Sequence, residues 1–217
     1  MVDGPVPYYQ LHTVALHRVV NEEEPTMAGR PRDPDLEQRL LAATWDLMTE
    51  GGYAELTLAR VAARAGAHRS DVYRRWSTKS RLVADALNAH VQPMSEVDTG
   101  SLRSDLRVYL DDLTRSWSAP WMDSVVGWLS ELVDDAEAET TFREMGLRRG
   151  RALRLSLDRA AERGEIAALP DAQLISGLLE GPLMHSRIVA RRPPSAELLD
   201  AVADAAYRVI TSMAATR

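Results

Sequence analysis

Ser70, Asp71, Tyr73 and Arg74 crowd hydrogen-bonding and charged groups into five residues of the stretch TLARVAARAGAHRSDVYRRWSTK, numbers 57 to 79. Val72 and Trp76, four apart and the only large apolar side chains available after Gly66 in that stretch, mark the inward face of a short helix. At about 100° per residue the other four then point outward. The chemistry on offer is groove reading: a DNA major groove admits one helix, in which Arg meets guanine, Asp the cytosine amino group and Ser any base. Asp71 has a second use, since a carboxylate at the third position of a helix satisfies free N–H groups and the helix dipole. Thr57, His68, Arg69 and Lys79 border this stretch and join the candidate DNA-contacting set, with Arg30 and Arg32 further upstream.

Catalytic chemistry is not suggested. The five histidines show no i, i+4 metal pair, and there is no cysteine to act as nucleophile, thiolate ligand or disulfide partner. Glu131, Asp134, Asp135, Glu137 and Glu139 read as a solvated helix end and loop. Neither a glycine-rich phosphate loop nor a nucleophile elbow is present, so no catalytic residue, metal or cofactor is expected.

The elements that must hold this stretch are helices. Leu58, Val61, Ala62 and Ala65 recur at i, i+3, i+4 and i+7, with Thr57 before them as an N-cap, and Gly66 ends that helix so that a second can start near His68 or Arg69. Upstream, Pro34 to Glu50 forms a helix stopped by Gly51 and Gly52. Its two neighbouring stripes, Leu36, Leu40, Ala43, Thr44 and Leu47 beside Leu41, Trp45 and Met48, call for cover on two sides. Downstream, Thr78 to about Val91 forms a connector helix with Leu82, Val83, Ala86, Leu87 and Val91 on its core side. A break from Pro93 to Gly100 precedes five more helical segments: Ser101 to Ser118, Pro120 to Val133, Glu137 to Arg163, Asp171 to about Ala190, and Ser195 to Ala215. Gly181 and Pro182 interrupt the fourth of these and should bend it. Strand signals are absent, so the fold class is all-α.

Of 217 residues, 45% are hydrophobic and 27% charged, as in an ordinary globular protein. No run approaches the roughly 18 apolar residues of a membrane span, and no signal peptide is apparent, so a cytoplasmic protein without membrane association is expected. The net charge of −6 is unevenly spread. Residues 28 to 92 hold ten cations against eight carboxylates; residues 1 to 27 hold one against four, and 93 to 217 fifteen against twenty. The one mildly basic segment carries the groove-reading stretch, as a phosphate-facing module would.

The run from about Gly29 to Leu87, with GRPR, the amphipathic helix, GGY and YRRWSTKSRLVADAL around the helix-turn-helix, resembles the DNA-binding domain of the tetracycline-repressor (TetR) family of bacterial regulators. Beyond it the likeness is one of helix layout and of the late segment LLEGPLMHSRIV. The family usually has a small hydroxyl residue where His68 stands and a proline where Ser77 stands. The resemblance implies an arm containing Arg30 and Arg32 that follows the duplex toward the minor groove, and phosphate contacts from Tyr73 and Lys79. It divides the chain into a tail over 1–27, with Met27 as an alternative start, a DNA-binding domain over 28–92, and a ligand-sensing and dimerising domain over 93–217.

In that second domain Trp117, Trp121, Met122, Trp128, Phe142 and Met145 are the candidates for the wall of a pocket enclosing a small lipophilic ligand, with Arg148, Arg149 and His185 as polar contacts. The same aromatic and methionine stripe also reads as plain core. Leu178, Leu179, Leu183, Ile188, Leu198, Leu199, Val202, Ala206, Val209 and Ile210 lie on two long apolar helices that, by resemblance, pair with a second copy as a four-helix bundle; intrachain core is the other reading. The expected function is a homodimeric repressor of a palindromic operator, released by a ligand. A regulator without an inducer, or an activator, and a helical carrier or enzyme on the same fold are the alternatives.

Overall fold

In the computed structural model of the chain, residues 34–213 are described. The expectations for the tail over 1–27 and for Arg30 and Arg32 lie outside the described residues.

The first helix, α1 (Pro34–Glu55), is broken at Gly52, where the sequence placed its stop, and one further short turn follows. Gly52 takes φ 75°, a non-helical conformation cheap only for glycine, and the kink there lets Tyr53 and Leu56 turn inward. Its wide apolar face packs α2 (Leu58–Arg64) and α4 (Lys79–His90) on one side and α6 (Trp121–Leu132) on the other.

Thr57 starts α2 by accepting the Arg60 N–H at 3.2 Å, and Gly66, with φ 63°, ends it. The Ala67 N–H returns to the Ala62 carbonyl at 2.9 Å and the Gly66 N–H to Ala63 at 3.3 Å, so the turn closes on the last carbonyls of α2. The next helix, α3 (Arg69–Tyr73), is short and depends on its caps and on burial of Val72 and Trp76. Asp71 accepts the His68 backbone N–H at 3.3 Å, and the Trp76 indole N–H reaches Asp85 of α4 at 2.8 Å.

The remaining helices are α5 (Leu102–Trp117), α7 (Ala136–Arg149), α8 (Arg151–Glu162), α9 (Ala172–Met184) and α10 (Ala196–Met213). The single helix expected over 137–163 is therefore two, α7 and α8. Gly146 and Gly150 both weaken the helical run where it divides. Pro182 lies inside α9, which continues to Met184 and passes into a widened π-helical turn, His185–Val189. Arg191 after it takes φ 50°.

Among the described residues there is no strand, and no helix is long and apolar enough to cross a membrane. The buried apolar side chains form one continuous cluster from Leu40 to Ile210. Two buried polar contacts cross it: Ser124 on α6 donates to the Met48 carbonyl at 2.7 Å, and the Trp128 indole N–H donates to Ser80 Oγ at 2.6 Å. Arg103 to Asp204 at 2.5 Å and Arg107 to Asp200 at 2.6 Å fasten α10 to α5.

Candidate nucleic-acid interface and apolar cavity

The outward face of α3 presents Arg69, Ser70, Tyr73 and Arg74 to solvent, and Tyr73, an aromatic ring, is 60% exposed. His68 is exposed at the turn. Asp71 is turned sideways: besides the His68 amide it accepts from the Arg74 guanidinium at 2.7 Å, so this carboxylate organises the helix start and steers Arg74. Thr57 is occupied by its capping bond.

Lys79 opens α4 with its side chain folded inward. Its ammonium lies 3.7 Å from the centroid of the Tyr53 ring, 3.5 Å from the Tyr53 carbonyl and 3.8 Å from Glu131. Tyr53 donates its hydroxyl to the same Glu131; burial, then that carboxylate, raises the phenol's pKa far above its usual value. Beside them Thr78 donates to Asp135 at 2.5 Å and Arg81 to Glu137 at 3.1 Å. The Thr78 hydroxyl holds the Asp135 carboxyl below the ordinary range against its partial burial.

The corner between α6 and α7, expected to be a solvated helix end, thus grips the start of α4. A signal for it was available. Glu131 lies in the last turn of α6, where a carboxylate opposes the helix dipole and calls for a cation such as Lys79.

An apolar cavity of about 220 Å³ lies among α5, α6, α7 and α9. Of the candidate wall residues, Trp117, Trp121, Met122, Phe142 and Met145 line it. Trp128 does not: it is fully buried toward α4, where its indole meets Ser80, and its ring stands edge-on to Phe142 at 5.3 Å. Arg148 and His185 are exposed outside the cavity, because each points to the solvent side of its helix.

The polar groups at the wall are Arg149, Tyr109, Glu180 and Arg187. Burial lowers the Arg149 pKa, and its guanidinium donates to the Gln92 carbonyl at 2.6 Å and to Ser116 at 2.9 Å. Burial, reinforced by Glu180, pushes the Tyr109 phenol up to about 12. Glu180 itself accepts from Ser176 at 2.6 Å. Tyr109 and Glu180 were not singled out from sequence, since each reads there as one more position of an amphipathic helix.

On α9 and α10, Leu179, Leu183, Leu199, Val202 and Ala206 are buried within the subunit and Leu198 is half-buried, whereas Leu178 is 39% and Val209 36% exposed. Leu174, at 48%, and Met213, at 46%, extend the exposed apolar surface of the two helices.

Residues 40–86 match the family model described as "Bacterial regulatory proteins, tetR family", and residues 96–206 match "Tetracyclin repressor-like, C-terminal domain". The chain belongs to the TetR family. Among its relatives, the HTH-type transcriptional regulator AqdR of Rhodococcus erythropolis is 30% identical over 168 residues, covering 77% of this chain and 81% of that protein. An uncharacterized HTH-type transcriptional regulator of Mycobacterium tuberculosis (strain ATCC 25618 / H37Rv) is 32% identical over 187 residues, covering 82% and 91%. The DNA-binding transcriptional repressor TetR of Mycobacteroides abscessus is 33% identical over 156 residues, covering 67% and 78%. In fold the chain matches the crystal structure of the TetR family transcription regulator SCO0332 with a TM-score of 0.65 at 24% identity, covering 80% of this chain and 97% of that one. This TetR-family chain is a DNA-binding transcriptional regulator and not an enzyme.

Proposed function

We propose that the protein represses transcription as a homodimer on a palindromic operator and leaves DNA when a small lipophilic molecule enters the cavity among α5, α6, α7 and α9. The exposed outward face of α3, with Tyr73 and Arg74 standing free of the core, is the observation that carries the DNA-binding half. In this reading Arg69, Ser70 and Arg74 meet base edges, Tyr73 and Lys79 meet phosphate, and Arg30 and Arg32 follow the backbone upstream. Lys79 must leave Glu131 to do so.

The dimer is formed through α9 and α10, where Leu174, Leu178, Val209 and Met213 are apolar and uncovered in the single subunit. Two copies would place two copies of α3 against half-sites about one helical turn apart.

Transmission follows from shared helices. α6 and α7 line the cavity and also hold α4, through Trp128 to Ser80, Asp135 to Thr78, and Glu137 to Arg81. Arg149 adds a tie from the cavity wall to Gln92, just beyond α4. A ligand that prefers a shifted α6–α7 arrangement therefore shifts α4 and, through Trp76 and Asp85, α3.

The test is a mobility shift at stated salt with duplex from the region flanking the gene. Specific retention against competitor is expected; Tyr73→Ala and Lys79→Ala should each weaken binding to all sequences, and Lys79→Ala should also make its salt dependence shallower. Retention unchanged in both variants would move the DNA contacts elsewhere.

A further inference from the structure

A second cavity, of about 310 Å³, adjoins the first and differs from it in chemistry. Arg187, Arg191 and Arg192 line it, with Thr114, Ser118 and the single carboxylate of Asp123. Asp123 occupies one arm of Arg187 at 2.6 Å. Arg191 and Arg192 form no ion pair among the described residues. The Arg187 Nε and the Thr114 hydroxyl are buried with no hydrogen-bond partner, and buried polar groups left so are costly.

The backbone here is unusual as well. The arginines follow the π-helical turn His185–Val189, and Arg191 at φ 50° is the one non-glycine residue with positive φ among the described residues. Widened turns and left-handed side-chain-bearing residues concentrate at ligand sites, where bound groups offset their cost. Trp117 and Arg187 belong to the walls of both cavities, so the basic cleft and the apolar chamber are contiguous.

We propose that the cleft binds the phosphate-type head of an amphiphilic ligand whose apolar body fills the neighbouring cavity. A dianion with several acceptor oxygens answers three guanidiniums, one of them with its Nε unpaired, and the unpaired Thr114 hydroxyl better than a carboxylate with two oxygens. The proposal rests on the ligand-binding reading above and adds the class of ligand.

The experiment measures displacement of the neutral fluorophore N-phenyl-1-naphthylamine from the full-length protein by octyl phosphate and by octanol, which share a chain and differ in the head. Octyl phosphate should displace the probe at a concentration at least about tenfold lower than octanol, as charge-assisted hydrogen bonds imply. In the double variant Arg191→Gly, Arg192→Ala this advantage should fall to within about twofold, as loss of those bonds requires. Glycine suits the backbone of Arg191, both residues are exposed, and an unchanged response to octanol certifies that the cavity is intact.

Excess inorganic phosphate should leave the bound fluorophore in place and erase the advantage of octyl phosphate. Equal displacement by the two octyl compounds would overturn the proposal, as would an advantage that survives in the double variant. Calorimetric binding of inorganic phosphate with no advantage for octyl phosphate would also overturn it, by making the cleft a separate oxyanion site. Failure of the fluorophore to bind would instead count against the ligand-cavity reading itself. Inorganic phosphate would then test the cleft alone, and absence of a binding heat removed by the double variant would sink the cleft too.

Discussion

Lys79 shows how one side chain can be claimed by two partners. Its ammonium is shared by the Tyr53 ring and Glu131 in the free protein, and the same charge is wanted by DNA phosphate in the repressor reading. Glu131→Gln removes the competing carboxylate, so affinity for DNA of any sequence should rise a few-fold at low salt. The slope of log affinity against log salt should steepen by about one contact; a mobility-shift titration at several salt concentrations reads both. Tyr109 supplies a pH prediction. Burial holds its folded pKa at about 12, above the ordinary phenol value of about 10, so the stability it contributes is complete below about pH 10 and is lost as pH climbs toward 12. Absorbance at the phenolate band should show one tyrosine titrating near 12, and urea midpoints should decline over the same interval. The assignment of Asp71 to capping was legible from its third-position register, whereas the inward turn of Lys79 was not, because its partners lie 26 and 52 positions away.

Elements were legible wherever a local signal terminates them. Thr57, Gly66 and Thr78 each mark a boundary by a hydrogen bond or backbone conformation that a neighbour supplies, and the helices start and stop there. The division of α7 from α8 was missed because the backbone carbonyl–amide hydrogen bonding nearly continues across Gly150, whose φ of −68° is helical. Gly146, on α7, offers a direct test of the cavity among α5, α6, α7 and α9. It lines the chamber, has no positive φ, and a Cβ built there meets nothing within 4 Å. Gly146→Leu should therefore raise helix stability by up to about 1 kcal/mol while abolishing binding of N-phenyl-1-naphthylamine, as thermal melts and fluorescence titration would show. Trp128→Phe acts on the other side of α6. It keeps most of the ring but strands the Ser80 hydroxyl, at a cost of about 1–3 kcal/mol, visible as a lower melting temperature.

At the level of the whole molecule, the composition and charge distribution of the chain agree with a regulator whose basic module meets phosphate while the remainder does not. Which apolar residues of α9 and α10 face outward was not legible, since the apolar positions of each helix spread beyond the buried face and only tertiary packing decides between them. Leu174, Leu178 and Val209 are the ones left uncovered. Leu178→Asp with Val209→Asp should yield a folded monomer in analytical ultracentrifugation, with helical circular dichroism retained and specific DNA retention lost. A dimer that persists would move the interface to another surface.

The hydrogen bonds from Ser124 to the Met48 carbonyl and from Trp128 to Ser80 have a consequence for protein engineering. Regulators of this layout invite a mix-and-match treatment, in which a reader from one is joined to a sensor from another at the linker after α4. Here the cut would pass through a seam, not a hinge: each half would carry away a polar group cut to fit the other. A hybrid keeping residues 34–92 should misbehave unless the recipient also supplies a hydroxyl opposite Met48 and an indole opposite Ser80. Restoring those two side chains in the foreign half should bring back a single sharp melt. The stretches before and after position 92 are parts made as a matched pair, and portability has to be designed in at that seam.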